Sequence, residues 1–242
     1  MVWVLGPAVV FDHDARAAFC ALIAAGFVDA LLAGNALATH DIEGALFGTA
    51  LGQELYSKRS VDQGHYKHLD ALNLVRAAGS LHQAVQSGMI ADGIMKALVD
   101  RNIPFVLAGS IRDDGPMPEV VADVYAAQDR MRAITSKATT IIALATQLHT
   151  IATGNLSPSF IVAPRFGVRP VYFYSVDMSE FAVNKLSDRG SLSVRSILTN
   201  VQDFIVTLHR GLQRLSSVSA RKKGKKATGG AGQVKPRSPT LP

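Results

Sequence analysis

The sequence predicts an α/β protein in which a parallel sheet carries helices on both faces. Short, almost wholly apolar runs alternate along the chain with longer segments of helical periodicity, as they do in repeated β-α units. The apolar runs lack polar alternation, which is typical of strands that helices cover on both faces. The 242 residues, 48% of them hydrophobic and 18% charged, suffice for one domain with a large core.

Five apolar runs are the expected strands, and the two clearest are residues 139–144 and 171–176. The other three are residues 27–33, 104–108 and 194–198. Residues 1–10 begin with a further strand-like stretch, which suggests that the chain once belonged to something longer.

Helical periodicity, in apolar residues that recur every three or four positions, falls between the runs. Gly26 is a good C-terminal breaker for the first helix, and Pro118 is a favoured first-turn residue for the fifth. The polar, aperiodic region 48–67 is expected to be a long functional loop or a lid. The expected helices are residues 15–25, 69–78, 81–85, 93–101, 119–132, 181–186 and 201–215.

The net charge of +6 belongs to the end of the chain. Seven basic and no acidic residues lie between Ser216 and the C-terminus, which leaves 18 basic against 19 acidic residues in the rest. We therefore expect one domain over residues 1–215 and a disordered basic tail over 216–242, because a segment so poor in apolar groups cannot offset its ordering entropy. The tail is either a solvated extension or a weak contact for nucleic acid or another polyanion. The body of the chain offers nucleic acid no comparable basic stripe.

Several classes of protein are excluded or disfavoured by the sequence. The single cysteine, Cys20, excludes a disulfide framework and a cysteine-based zinc site, and its apolar surroundings favour a buried structural thiol. There is no signal-peptide pattern and no apolar run long enough to span a bilayer, so we expect a cytoplasmic protein without membrane contact. His65 and His68 lack a carboxylate at metal-ligand spacing, so no metal site is expected.

Ligands of an open parallel sheet bind at the carboxyl ends of its strands. Small residues that let backbone N–H groups approach a pyrophosphate follow two of the runs: Gly34 and Ala36, then Gly109 and Ser110. Asp177 follows the fourth run, where it could accept hydrogen bonds from ribose hydroxyls. Thr146, His149 and Asn200 add polar groups to the same rim. A G-x-G-x-x-G turn is absent, and the alternative for each loop is a simple helix cap or turn.

The segment Arg112-Asp113-Asp114-Gly115-Pro116 is the most distinctive of these loops. Adjacent carboxylates repel, so their cost suggests a ligand or a cationic partner; the alternative is that both cap a helix beginning near Glu119. His149 lies at a strand end, where it either contacts a ligand or is structural. His40 and Asp41 could form an acid–base pair, although adjacent side chains point apart. Gly-x-Ser-x-Gly and other Ser/His/Asp arrangements are absent.

Longer segments resemble one enzyme family. These are residues 27–43, Gly48-Thr49-Ala50-Leu51-Gly52, residues 64–69, Leu148-His149, Gly154-Asn155-Leu156-Ser157-Pro158-Ser159, residues 185–191 and, above all, residues 104–116, Pro-Phe-Val-Leu-Ala-Gly-Ser-Ile-Arg-Asp-Asp-Gly-Pro. Over roughly residues 5–215 the chain resembles the C-terminal half of the archaeal-type ornithine cyclodeaminases, a domain that also ends the cyanobacterial arginine dihydrolase/ornithine cyclodeaminase enzymes.

The resemblance implies a Rossmann-like domain of the deoxyhypusine-synthase type that binds NAD, in a homo-oligomer. In the family, ornithine becomes proline and ammonia: hydride leaves the α-carbon, ammonia is lost as the δ-amine closes the ring, and hydride returns. Transferred residue by residue, the implied cofactor contacts are Asn35, Ala36, Asp114, Thr146, Gln147, Leu148, His149, Asp177, Asn200 and Val201.

The sequence also departs from the family. Asn200 stands where the family usually has an aspartate, Gln147 replaces a methionine, Asp177-Met178-Ser179 replaces Asp-Ile-Asn, and an insertion appears between Ser159 and Val171. The family's N-terminal domain is absent from this sequence.

Two main hypotheses result, besides an unrelated structural domain. The first is an NAD-dependent enzyme for ornithine or a similar diamino acid, in which Asp113, Asp114 and Glu43 hold the amino groups, Arg112 or Lys67 holds the carboxylate, and a carboxylate or His149 takes a proton. The proposed catalytic residues are Asp113, Asp114 and His149. The second is an NAD-binding module without independent catalysis, which needs a missing domain or a partner chain.

Overall fold

The computed structural model describes residues 1–163, 167–187 and 193–228. Its strands are β1 Val2–Leu5, β2 Ala30–Gly34, β3 Thr49–Ala50, β4 Gln53–Glu54, β5 Phe105–Ala108, β6 Val120–Val121, β7 Thr140–Leu144, β8 Phe160–Ala163, β9 Gly167–Pro170, β10 Tyr172–Asp177 and β11 Ser193–Leu198. Its α-helices are α1 His13–Ala24, α2 Asn35–Phe47, α3 Lys67–Ala78, α4 Leu81–Gln86, α5 Ile94–Asp100, α6 Val124–Thr135, α7 Gln147–Leu156, α8 Glu180–Ser187 and α9 Val201–Thr228.

The main sheet has seven strands within the described ranges, in the order β11-β10-β7-β1-β2-β5-β6, and every neighbouring pair is parallel. The expected fold class, a parallel sheet of the Rossmann type with helices, is confirmed. The strand-like stretch at the start of the chain is the centre of this sheet, because β1 pairs with β2 on one side and with β7 on the other.

Both faces of the sheet are buried, and the alternate side chains of a strand belong to two different hydrophobic clusters. In β1, Trp3 and Leu5 join one hydrophobic cluster with Phe19 of α1 and Leu37 of α2, while Val2 and Val4 join a second cluster with Met131 of α6 and others. The alternation of a strand sends neighbouring side chains to opposite faces, so a run that is apolar throughout fits a strand buried on both. The indole Nε1 of Trp3 donates to the carbonyl oxygen of Phe27 at 2.9 Å.

Helix α2, which begins directly at the end of β2, is fixed by a buried ion pair. Nε of Arg16 donates to Oδ1 of Asp41 at 2.7 Å, and the Met95 N–H donates to Oδ2 of the same carboxylate at 2.7 Å. Asp41 is fully buried, so it is stabilised only because both oxygens are paired. Arg16 also donates to Asp92 at 2.7 Å, which ties α1, α2 and the start of α5 together.

Several sequence-based expectations were wrong in detail. Residues 120–121 form the edge strand β6, and the helix expected to begin at Glu119 begins at Val124, where the Asp123 side chain accepts a hydrogen bond from the Ala126 N–H. The loops expected after the first and third runs contain α2 and α7. The insertion before Val171 includes the antiparallel hairpin β8–β9.

The polar region 48–67 also has structure of its own. It contains the small hairpin β3–β4, and Thr49 and Leu55 are buried there. The helix expected to end at Leu215 continues to Thr228, and the rest of the expected tail, residues 229–242, lies outside the described residues. Where the domain ends therefore stays a prediction. No helix in the described ranges combines the length and the apolar character that a membrane span requires.

Candidate functional site

A topological switch point lies at the centre of the sheet. From β1 the chain builds β2, β5 and β6 on one side, and then β7, β10 and β11 on the other. The connections that follow β1 and β7 consequently run to opposite sides of the sheet, and open parallel sheets bind ligands at such a switch point. A cavity of about 490 Å³ opens at this place.

Segments after four adjacent strands line the cavity. They are residues 5–7 after β1, residues 34–40 at the start of α2, residues 109–114 after β5 and residues 146–149 after β7, with His68 and Leu72 of α3 on the remaining wall. Oγ1 of Thr39, one of the lining residues, is buried and has no hydrogen-bond partner among the described residues. A buried unpaired hydroxyl carries a desolvation cost that a ligand could remove.

Two helix N-termini meet at the cavity. Helix α2 starts after Gly34 and α7 starts after Thr146, and neither of these residues caps its helix with its own side chain. The first-turn N–H groups of a helix, together with its dipole, attract anions. Gly34 also permits a close approach, since a β-carbon there would lie 2.9 Å from Cε1 of His149.

Asn35 joins the start of α2 to the loop after β5. Its side-chain oxygen accepts a hydrogen bond from the Met117 N–H at 3.1 Å, and its Nδ2 donates to the carbonyl oxygen of Gly115 at 3.3 Å. Asn35 is buried, at 3% exposure. Asn35 therefore fixes the start of α2 relative to the loop after β5, and both segments line the cavity.

His149 occupies the cavity wall beside β7. Its Nδ1 lies 3.0 Å from Oγ1 of Thr146, which fixes the ring against the start of α7. Burial lowers the pKa of His149 below its usual range, and the charge of Asp113 opposes part of that shift. The imidazole is therefore held towards its neutral form, in which one ring nitrogen can accept a proton.

The two carboxylates of the loop after β5 have different partners. Oδ2 of Asp113 accepts the Ser110 N–H at 2.9 Å and so closes the turn, whereas Oδ2 of Asp114 lies 2.9 Å from Nε2 of His68. Arg112 lines the cavity beside them. Neither aspartate caps a helix near Glu119, since the next helix begins at Val124 behind Asp123; that alternative was wrong.

A second histidine pairs with a carboxylate in the same cavity. Nδ1 of His40 lies 2.8 Å from Oε2 of Glu43, and Oε1 of Glu43 accepts from Oγ1 of Thr49 at 2.9 Å. Glu43 is fully buried, so it supports His40 and does not face a ligand as the sequence suggested. The rings of His40 and His68 have centroids 6.0 Å apart.

The remaining expected contacts lie along the same edge of the sheet but outside this cavity. Asp177 ends β10, and its Oδ1 accepts the Ser179 N–H at 2.9 Å. Asn200 precedes α9, where its side-chain oxygen accepts the N–H of Gln202 at 2.8 Å, and Val201 is buried as the first residue of that helix. These residues stand one and two strands from β7, so only an extended ligand would reach both groups.

The structure brings eight of the expected site residues around one cavity, namely the seven expected cofactor contacts Asn35, Ala36, Asp114, Thr146, Gln147, Leu148 and His149, and the proposed catalytic residue Asp113. It places Lys67 elsewhere, with Nζ 4.9 Å from the centre of the Phe47 ring. Asp41 pairs with Arg16 and not with His40. Gly6 and Thr39 also line the cavity and were not singled out from the sequence, whereas His40 was paired there with Asp41 and His68 was considered only for a metal site. The i,i+3 spacing of His40 and Glu43 was the available signal for His40, whereas no local signal connects His68 with Asp114.

In the part of the chain that the structure describes, no group of three His, Cys, Asp or Glu side chains could hold a metal ion. The donor groups of the cavity are instead backbone N–H groups, imidazoles and carboxylates. Such a set suits an anionic and polar organic ligand.

Comparison with known proteins identifies the same architecture. Residues 1–208 match the protein family described as arginine dihydrolase ArgZ-like, C-terminal, Rossmann fold. The chain is 44% identical over 215 residues to an ornithine cyclodeaminase of Methanocaldococcus jannaschii, covering 89% of this chain and 48% of that protein. It is 42% identical over 211 residues to the bifunctional arginine dihydrolase/ornithine cyclodeaminase ArgZ of Synechocystis, covering 87% and 28% respectively.

Solved structures agree with these relatives. A conserved LOR/SDH protein of Methanococcus maripaludis superimposes with a TM-score of 0.82 at 42% identity, over 89% of this chain and 62% of that one. AgrE, in its ternary complex with ornithine and NAD⁺, superimposes with a TM-score of 0.81 at 39% identity, over 89% and 30%. The chain thus spans about half the length of the archaeal relatives and less than a third of the bifunctional ones.

Proposed function

The chain belongs to the family of the ArgZ-like C-terminal Rossmann domain, and from this premise we propose that it binds NAD and acts in the cyclisation of ornithine to proline with release of ammonia. The observation that carries the proposal is the cavity at the switch point, where two helix N-termini meet a set of proton-accepting side chains. Relatives named ornithine cyclodeaminase, and AgrE with bound ornithine and NAD⁺, support both the substrate and the cofactor.

The residues present at the cavity fit a dinucleotide. Gly34 and Ala36 leave room at the start of α2 for a pyrophosphate, whose charge the helix N-terminus would stabilise. The unpaired Oγ1 of Thr39 offers a further polar contact. Residues 146–149 would hold a second part of the dinucleotide at the start of α7, and Asp177, Asn200 and Val201 would accommodate its extension along the sheet edge. Asp177 is the proposed ribose contact.

The substrate would lie against the loop after β5. Asp113 and Asp114 supply negative charge for the two ammonium groups of a diamino acid, and Arg112 supplies a guanidinium for its carboxylate. The Ser110 N–H donates a hydrogen bond to Asp113. This bond already holds the carboxylate in place, so little side-chain entropy is lost when a substrate binds. The arrangement favours a substrate that carries ammonium groups as well as a carboxylate.

The bound cofactor would accept a hydride from the α-carbon of the substrate and later return it. The residues of this chain prepare that exchange by binding, orienting and moving protons. His149, held towards its neutral form by burial, would accept the proton of the α-ammonium, so that electron density on nitrogen can assist the departure of hydride. Asp113 and Asp114 would keep the diamino acid folded for ring closure.

The test is incubation of the purified chain with ornithine and NAD, followed by measurement of proline and ammonia. We expect both products in equal amounts, and we expect Asp113→Asn or Asp114→Asn to abolish turnover or weaken ligand binding while the melting temperature barely moves. Arg132→Gln is the matched control, because that side chain pairs with Asp129 on the surface of α6. If both aspartate variants keep full activity and binding, these residues are not in the site.

A second candidate is an NAD-binding module that does not catalyse the reaction by itself. The observation in its favour is that the chain spans about half the length of its archaeal relatives. Clear NAD binding without proline formation would support this candidate. Adding the purified remainder of an archaeal relative would then be expected to restore turnover.

A further inference from the structure

We propose that His40, supported by the buried carboxylate of Glu43, accepts the proton of the substrate's terminal ammonium group, so that the resulting amine can close the ring. This inference rests on the proposed function, because it concerns the same cavity and the same diamino acid. It assigns a second proton acceptor, distinct from the one at the α-nitrogen.

The chemistry requires two acceptors. One proton must leave the α-ammonium before hydride departs, and another must leave the terminal ammonium, since only a neutral amine has the electron pair needed to attack carbon. His149 and Asp113 are neighbours at one wall of the cavity, so they can serve the first proton. The second needs a base elsewhere in the cavity.

His40 has the geometry of such a base. Because a carboxylate can only accept, the 2.8 Å contact means that Nδ1 of His40 donates its N–H to Oε2 of Glu43. The ring is then the tautomer whose Nε2 carries an unshared electron pair. Nε2 has no hydrogen-bond partner among the described residues, and His40 lines the cavity. The free nitrogen is therefore the one available to a ligand.

Glu43 positions this ring and would stabilise it once protonated. The carboxylate is completely buried and is held from the other side by Oγ1 of Thr49 at 2.9 Å. Phe11 packs edge-on against His40 with ring centroids 5.3 Å apart, which limits rotation of the imidazole. A carboxylate behind a histidine in this way fixes the tautomer and stabilises the imidazolium that forms.

The position of His40 along α2 separates it from the helix start. His40 lies five residues beyond Asn35, which corresponds to about 7.5 Å along the helix axis. A pyrophosphate at the N-terminus of α2 would leave the part of the cavity beside His40 to the far end of the substrate. The pair His68–Asp114 stands beside it, so negative charge is present where an ammonium group would lie.

The proton balance closes within one turnover. The N–H bond of the terminal ammonium breaks, its electron pair stays on nitrogen, and an Nε2–H bond forms on His40. The amine then attacks the α-carbon, which hydride loss to NAD has converted to an iminium. One proton passes from the new ring nitrogen to the α-nitrogen, the electron pair of the ring nitrogen expels ammonia, and hydride returns to the ring C=N bond. The protons held on His40 and on the first acceptor pass to ammonia and to the amine of proline, so both acceptors return to their starting states.

The first test observes His40 directly in the wild-type chain. With ¹⁵N-labelled histidine, the Nε2 resonance of His40, assigned through its loss in His40→Asn, should shift when ornithine is added. NAD alone should not shift it to the same extent. An Nε2 resonance that ornithine leaves unmoved would overturn the inference, even if the chain binds NAD and forms proline.

The second test separates chemistry from binding. His40→Asn should lower the rate of proline formation by about 100-fold or more while the affinity for NAD stays unchanged, and His13→Asn, a change at an exposed position, should alter neither. Wild-type turnover in His40→Asn would exclude His40 as the acceptor and leave the proposed function standing. Failure of the wild-type chain to bind both NAD and ornithine would overturn the two proposals together.

Glu43 is a positioning residue on this account, and its variants test that role. Glu43→Gln keeps the shape of the side chain but removes its charge, so kcat should fall while KM and NAD affinity change little. The ¹⁵N spectrum should also show a loss of the single tautomer at His40. Glu43→Asp should recover part of kcat. Equal kcat in wild type and Glu43→Gln would show that Glu43 contributes only to packing.

Discussion

A β-carbon on Gly6 would lie 2.0 Å from the carbonyl oxygen of Ala145. The Gly6 N–H donates to the carbonyl oxygen of Leu144 at 2.8 Å, and Ala145 itself has a φ of +49°, a left-handed conformation that few non-glycine residues adopt. The loops that leave β1 and β7 are therefore pressed together at the switch point. Both contribute to the wall of the cavity, so its shape depends on this contact.

Gly6→Ala should destabilise the protein through that contact. The added methyl group meets backbone and not a flexible side chain, so the loops must move apart, at a cost of about 1–3 kcal/mol. Chemical denaturation measures the loss in the free energy of unfolding. Gly211→Ala is the matched control: it lies in α9 with nothing within 4 Å of its β-carbon, and should stabilise the chain by about 0.5–1 kcal/mol. A Gly6→Ala chain as stable as wild type would contradict the close approach.

Asn35→Ala should separate the two walls that Asn35 joins. The Met117 N–H and the Gly115 carbonyl oxygen lose their partner, and a buried polar group left unpaired costs about 1–3 kcal/mol. Thermal and chemical denaturation should show the loss. Asn73→Ala, at an exposed position of α3, should stay within about 0.5 kcal/mol of wild type. Equal effects of the two changes would mean that the Asn35 contacts contribute nothing.

The lowered pKa of His149 predicts a pH dependence of stability. Burial holds the pKa of this ring in the folded state below the ordinary value of 6.5, which the unfolded chain keeps. As the pH falls below about 6.5, the unfolded chain binds a proton that the folded chain does not, so the free energy of unfolding decreases. Above about pH 7.5 this contribution is constant.

His149→Gln should remove that part of the pH dependence. Denaturation of both chains at about pH 7.5 and about pH 5.5 gives the comparison: the wild type should lose more stability on acidification than the variant. Identical losses would show that His149 does not titrate differently in the folded protein.

Cys20 should react slowly in the native protein. Burial, followed by the charge of Asp41, raises the pKa of its thiol to about 12, so little thiolate exists at about pH 8. Alkylation by iodoacetamide should be roughly tenfold or more slower than in the chain unfolded with guanidinium. Because Cys20 is the single cysteine, the mass change reports this thiol alone. Equal rates in the two states would contradict the half-buried position of this thiol.

The fold class was predictable because a strand that is buried on both faces shows in the sequence as a continuous apolar run. Helix α2 has no comparable pattern. Its buried residues include Asn35, Leu37, Thr39, Ile42 and Glu43, so apolar side chains do not recur on one face and the pattern is not that of an amphipathic helix. The short strand β6 was absorbed into an expected helix for a similar reason, since two residues are too few to show a period.

The loops that surround the cavity could be predicted from the sequence, whereas the side-chain pairs within it could not. Loops after the strands could be assigned to one edge of the sheet, which brought Asn35, Asp113 and His149 into one candidate site before any geometry was known. The pairing of His68 with Asp114 joins residues 46 positions apart, and the complete burial of Glu43 depends on packing from Thr49 and its neighbours. Contacts of this kind arise only when the chain has folded.

The central claim is that NAD binds at the carboxyl edge of the sheet, between α2 and α7, and isothermal titration of the purified chain with NAD tests it most directly. We expect saturable binding of one NAD per chain. Binding should be lost in Gly34→Val, where the new side chain would meet the His149 ring and fill the cavity, and retained in His13→Asn. Absence of binding to the wild-type chain, or undiminished affinity in a folded Gly34→Val chain, would contradict the account.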